Sequence, residues 1–228
     1  MAWFRDDLGN NRDVNDPETQ FDIDVEHYNE AGGTPDYSEA AKLCKLAAEQ
    51  GHAPAQYNLG FMYEMGQGVE QDASESLKWY RTAADNGYAP AQLELGEMYE
   101  SGAVGARDYG DAVKWYRLAA DQGNADAQLK LGNMYREGQG VSQDYNEAAN
   151  WYRLAGEQEH SEAQYNLGRM YESGSIGAID YEEAIKWYRL AADQGHPEAI
   201  NELKKGEPKS DEHGQPKKSG RFFGFLNR

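Results

Sequence analysis

The sequence holds a single cysteine, Cys44, in 228 residues. One thiol makes no internal disulfide and builds no thiolate metal site, so the expected setting is a reducing compartment. Basic side chains are outnumbered 22 to 40, a net charge of -18. That field repels a phosphate backbone and excludes a general nucleic-acid binder. No apolar run approaches the roughly 20 residues of a membrane-spanning helix. The opening MAWFRDDLGN lacks an apolar stretch of signal-peptide length, so a cytoplasmic rather than secreted protein is expected. Leu, Ile, Val and Phe are sparse against Ala, Gly and Tyr, which argues against a thick sheet-based core.

What is abundant is self-similarity. Asp36, Asp72, Asp108, Asp144 and Asp180 stand 36 residues apart, and each opens a block like D-Y-x-E-A-x-K-W-Y-R-L-A-A-D-Q-G. A second segment like H-A-P-A-Q-Y-N-L-G-x-M-Y-E-x-G follows. Counting from each aspartate as position 1, Trp79, Trp115, Trp151 and Trp187 share position 8, and Met62, Met98, Met134 and Met170 share position 27.

Each half-block reads as a helix. The aspartate and the acid three residues later (Glu39, Glu75, Asp111, Glu147, Glu183) form a capping pattern. Ala112, Trp115, Tyr116 and Ala119 make one helical stripe, and Gly51, Gly87, Gly123 and Gly195 stop the helix. The second helix starts near Pro54 or Pro90, with a stripe such as Ala127, Leu131, Met134 and Tyr135. Gly60, Gly96, Gly132 and Gly168 each cost about 1 kcal/mol of helix propensity, so their repetition predicts close helix approach.

These motifs resemble the Sel-one-like repeat family of the tetratricopeptide superfamily, over roughly Asp36 to Lys205. The resemblance implies an all-α fold, a right-handed α/α superhelical solenoid of five helix-pair repeats. Three segments are expected: 1–35, acidic, with a degenerate capping helix at Pro17–Tyr28; 36–205, the solenoid; and 206–228, a disordered basic linker and aromatic tail. Stacked pairs bury what one pair cannot, and the polar last helix suits a terminal cap. Loops alternate between Gly66-Gln67-Gly68-Val69 or Gly138-Gln139-Gly140-Val141 and Gly102-Ala103-Val104-Gly105 or Gly174-Ser175-Ile176-Gly177, as if a two-repeat unit had been copied. The fourth block departs most, with Asn150, Gly156 and Glu159 in place of lysine, alanine and the terminal glycine.

Catalytic motifs are missing: no H-E-x-x-H, G-x-S-x-G or G-x-x-x-x-G-K, and neither S-x-x-K nor K-T-G. His52, His160 and His196 share position 17 but lie about a helix pair apart, too far for one ion. Asp22 to Glu26 alternates carboxylates like a calcium loop, yet His27 stands where glycine is required. Cys44 sits on the buried stripe, the place of a structural thiol. No enzyme, cofactor or metal is expected.

The resemblance implies a scaffold that binds a protein or peptide, and the alternative on the same fold is a hydrolase or cell-wall-fragment binder. If the first helix of each block lines the groove, as in tetratricopeptide arrays, positions 3, 6, 10, 13 and 14 face the partner. The predicted site residues are Leu77, Arg81, Val113, Arg117, Asn146, Arg153, Glu182, Ile185 and Arg189. The basic row at position 10 either receives carboxylates or pairs with the acid four residues later on its own helix. Residues Lys204 to Arg228 carry seven basic and three acidic side chains, net +4. Phe222, Phe223, Phe225 and Leu226 make this segment a candidate docking element, with membrane contact a weaker alternative.

Overall fold

Thirteen-residue helices follow from the caps. Asp72 and Asp144 sit in extended backbone and accept from the N–H groups two and three residues on, at 2.8 and 3.1 Å and at 2.9 and 3.1 Å. Asp180 accepts from Glu183 N at 3.0 Å. The second type of helix is capped differently, by the residue at position 17. His52, Asn124 and His160 take the N–H of Ala55, Ala127 and Ala163, at 3.3, 2.8 and 3.4 Å. The shared histidines are therefore helix caps. No cluster of three or more metal-ligating side chains is found among the described residues.

The computed structural model describes residues 3–5, 11–13 and 37–206. Ten helices are present among the described residues. They are α1 Tyr37–Glu49, α2 Ala53–Met65, α3 Ala73–Asp85, α4 Ala89–Ser101 and α5 Tyr109–Asp121. After these come α6 Ala125–Glu137, α7 Tyr145–Glu157, α8 Ser161–Ser173, α9 Tyr181–Asp193 and α10 Pro197–Gly206. This is the expected solenoid of five helix pairs. Ahead of it lies a small antiparallel hairpin, β1 Trp3–Arg5 on β2 Asn11–Asp13, which the reading of 1–35 did not foresee. Three-residue strands carry too few residues for a periodic signal. The capping helix expected at Pro17–Tyr28 and the segment 207–228 lie outside the described residues.

The chain divides into two compact units, Met1–Ala119 and Ala120–Arg228. In the first, Ala40, Ala41, Cys44, Ala47, Ala55, Leu59 and Met62 form one cluster. A second cluster there surrounds Tyr80, Ala83, Ala91 and Leu95. In the second unit, Tyr152, Ala155, Ala163, Leu167 and Met170 pack together, as do Ile185, Tyr188, Ala191 and Ala199. These cores are alanine surfaces pierced by one tyrosine in each repeat but the first, where Cys44 takes its place, which is why the sequence needs so few large aliphatic residues. Tyrosine at position 9 is fully buried, whereas Trp79, Trp115, Trp151 and Trp187 are only partly covered.

Glycine at position 25 makes room for that tyrosine. A Cβ on Gly60, Gly132 or Gly168 would stand 2.6–2.8 Å from a ring carbon of Tyr80, Tyr152 or Tyr188. Close approach, read from the repeated glycine, is what the helices do. The alternating loops also differ as their sequences do. Gly68 and Gly140 have φ of 69° and 71°, while Gly105 and Gly177 reach 133° and 139°.

Candidate functional site

The predicted site residues divide by burial. Val113 and Ile185 are 6% and 3% exposed, and Leu77 packs on the Tyr80 cluster. Val113 and Ile185 belong to the interior and face no groove, so that part of the assignment is corrected, while Leu77 is half-buried. Position 6 lies beside the tyrosine stripe on the helix wheel, and its apolar character answers to the core. Arg81, Asn146, Glu182 and Arg189 are exposed, and Arg117 and Arg153 are half-buried.

The arginines bond across their own helix pair. The Arg81 guanidinium donates to the Tyr99 hydroxyl and lies 5.9 Å from that ring, and Arg153 donates to Tyr171 at 3.0 Å. The expected pairing with the acid four residues on is found for Lys45 and Glu49, at 4.0 Å. The exposed first-helix face is otherwise laced by pairs three residues apart: Glu39–Lys42, Glu75–Lys78, Asp111–Lys114 and Glu183–Lys186. Such surface pairs contribute little.

Polar links join successive repeats. Tyr80 and Tyr188 donate to Glu64 and Glu172 at 2.7 and 2.9 Å. Burial, reinforced by these carboxylates, pushes both phenols far above their usual range. A buried glutamine at position 21 donates to the carbonyl ending its own first helix and accepts from position 15 of the next block. Gln164 does so with Gly156 and Gln194, both at 2.8 Å. Gln56 and Gln128 accept likewise from Asn86 and Gln158. Hydrophobic patterning did not single out these glutamines, and their recurrence every 36 residues is the only signal that could have. The histidine caps add a third link, His160 to Asp126 at 3.1 Å and His196 to Glu162 at 2.9 Å. Because Nδ1 accepts from a backbone N–H, Nε2 carries the proton that the carboxylate receives.

In the second unit these links frame an open groove of about 610 Å³ along α8, walled by the end of α6, the start of α7 and α10. Tyr165, Arg169, Glu172 and Ser173 recur at helical spacing on its floor, with Arg136 on one wall and Glu202 on the other. Arg169 lies 5.9 Å from the Tyr165 ring, which is itself stacked on His196 at 4.7 Å. Arg136 occupies the position that holds glutamate in Glu64, Glu100 and Glu172. Tyr152, so deprived of a carboxylate, donates to Asn133 at 2.6 Å instead. Glu172 is engaged by Tyr188, and Glu202 by Lys205 at 2.6 Å. What remains presented is a guanidinium over an aromatic shelf.

Fold and groove together define an α-helical repeat array. The Sel1 repeat signature matches five segments, 25–52, 53–88, 89–124, 125–160 and 161–196, and the chain belongs to the Sel1 repeat family. A Sel1 repeat protein from Oxalobacter formigenes is 36% identical with a TM-score of 0.76, over 83% of this chain and 78% of that one. The protective antigen c5321 of uropathogenic Escherichia coli, which displays an SLR fold, is 33% identical with a TM-score of 0.79. That match covers 88% of this chain, which spans 43% of the antigen. At 22% identity and a TM-score of 0.53, over 86% of this chain and 71% of that one, the immunity protein PA5088 from Pseudomonas aeruginosa shares the fold. No curated protein matches the sequence. Repeats of this family are in general non-enzymatic scaffolds for protein interaction.

The family frame also revises which helix comes first. Its repeats begin at residues 53, 89, 125 and 161, at the helix our blocks placed second. Under the rule that the first helix of a repeat lines the groove, the lining falls on α2, α4, α6 and α8. The groove of the second unit lies on that type of helix.

Proposed function

We propose that this chain is a protein-interaction scaffold that takes a partner polypeptide along the α8 groove of its second unit. The observation that carries the reading is the groove itself, with the Arg169 guanidinium 5.9 Å over the Tyr165 ring and Arg136, paired with Glu137, on the opposite wall. A guanidinium attracted to an aromatic ring still has N–H groups to offer a carboxylate, and the tyrosine rings receive apolar side chains. An extended segment with acidic and apolar residues fits this chemistry. The net charge of -18 speaks against nucleic acid as the ligand. Hydrolysis has no support from Cys44, which is buried and donates to the Ala55 carbonyl at 3.1 Å. A single cysteine that forms no disulfide suits a cytoplasmic setting.

Site-specific photo-crosslinking tests the reading. A crosslinker at Ser173, in the groove, should capture a defined polypeptide, and Arg169→Glu should abolish the capture. A crosslinker at Lys186, on the first-helix face, should not capture it. Capture from Lys186 alone, or capture indifferent to Arg169→Glu, would move the site to the other face.

A further inference from the structure

The helix face that floors the groove of the second unit has a counterpart in the first, three periods earlier, with different chemistry. Tyr57 stands in register with Tyr165, Glu64 with Glu172 and Glu94 with Glu202, but Phe61 replaces Arg169 and Met65 replaces Ser173. Phe61 and Met65 lie one turn apart on α2 and are 37% and 55% exposed. Tyr57 beside them is pinned between Tyr80 and Tyr88, with ring centroids 5.3 and 5.6 Å away.

Carboxylates crowd this apolar pair. Burial raises the Tyr57 phenol, and the charges of Glu94, Glu64 and Glu97 raise it further. Glu94 itself is raised by burial and then by Glu97 and Glu64. The α2–α4 face is thus an exposed apolar ridge among mutually repelling acids, and its ligand must bring apolar groups and positive charge together.

One segment of this chain has that composition. Lys217 to Arg228 reads KKSGRFFGFLNR, with four cations, no acid, three phenylalanines and a leucine. We propose that Lys217–Arg228 docks on the α2–α4 face, its phenylalanines against Phe61 and Met65 and its cations among Glu64, Glu94 and Glu97. Aromatic rings pack well on a methionine thioether, and the cations offset the repulsion among Glu64, Glu94 and Glu97. Attraction between exposed opposite charges makes the docking weaken with salt.

The proposal uses the same helix face as the scaffold reading but needs no foreign partner, so either can fail alone. The test uses the full-length chain with Phe222, Phe223, Phe225 and Leu226 all changed to Ser, which leaves the face open. Calorimetric titration with a synthetic peptide of residues 217–228 should show saturable one-to-one binding. Phe61→Ser combined with Met65→Ser, both at exposed positions, should weaken it at least about tenfold. Lys186→Gln, on the first-helix face, should leave it unchanged. In the unaltered chain, amides of α2 and α4 should exchange more slowly than in the serine variant. Sedimentation then separates docking within one chain from docking between two copies, since only the latter depends on concentration. No peptide binding, or binding indifferent to the Phe61 and Met65 changes, overturns the proposal. So does a peptide that binds phosphatidylserine vesicles and not the protein.

Discussion

Replacing Gly132 by alanine puts the packing argument under direct test. The added Cβ would sit 2.6 and 2.7 Å from two ring carbons of Tyr152 and 3.3 Å from the Ala148 carbonyl oxygen. Ordinary carbon contacts lie near 3.5–4.0 Å, so the helices must part by about 1 Å. The ring has no easy escape, because Tyr152 is fully buried and its hydroxyl is held by Asn133. Alanine gains about 1 kcal/mol of helix propensity over glycine. Overpacking and the tilted interface cost about 3 kcal/mol. The expected net loss is about 2 kcal/mol, or a melting temperature lower by roughly 4–8 °C for a folded region of this size. Thermal unfolding followed by far-UV circular dichroism reads it. Combining the change with Tyr152→Leu should cost less than the sum of the two single changes, because the clash then disappears. A melting temperature that stays level or rises would show that propensity wins and that glycine is not there for the ring.

Three further outcomes are expected. Glu159 is the one non-glycine residue at positive φ among the described residues, 66°, where the other blocks have glycine, so Glu159→Gly should stabilise the array by about 1 kcal/mol in urea unfolding. Gln164→Ala should cost about 1–2 kcal/mol, since it leaves the buried Gly156 carbonyl without its side-chain donor, and a loss under 0.5 kcal/mol would deny the ladder its role. Tyr80, Tyr116 and Tyr188 keep their protons in the folded chain far above the roughly pH 10 at which unfolded tyrosine ionises. The unfolded state then binds fewer protons, so stability from this source is intact below about pH 10 and falls as pH rises beyond it. The 295 nm phenolate absorbance of these three should appear together with loss of helix signal, not before it.

Much of this fold was legible from spacing alone. Five aspartates in one phase set the first helices, and a glycine beside Leu59, Leu95, Leu131 and Leu167 announced a close approach. The groove was not legible, for a physical reason: a 36-residue period is a circle, and nothing in it marks where a repeat begins. Taking Asp36 as the start assigned the groove to the other helix type than the one along which the groove of the second unit runs. The apolar residues of position 6 then looked like contacts for a partner, although Val113 and Ile185 complete the core. The order of burial in the Trp-Tyr pair was hidden too. The space beside glycine at position 25 admits one six-membered ring, and the tyrosine hydroxyl has a carboxylate to reach. Arg136 and Asn133 could be read only together, as an exchange of one hydrogen-bond acceptor for another.

The links between repeats reach over 16, 19, 30 or 34 residues, always less than one period. Copy number can therefore change without re-inventing a single junction. Excision of Tyr145–Asp180 would bring Gln194 to Gln128 in place of Gln158, and His196 to Asp126 in place of His160. Tyr188 would lose Glu172 and inherit Asn133, the acceptor that now serves Tyr152. Gly132 would receive the Tyr188 ring as it now receives that of Tyr152. Length in such an array behaves like the bead count of a string: it can grow or shrink by unequal recombination between its own blocks. Each new junction is then an old one, already tested elsewhere in the same chain.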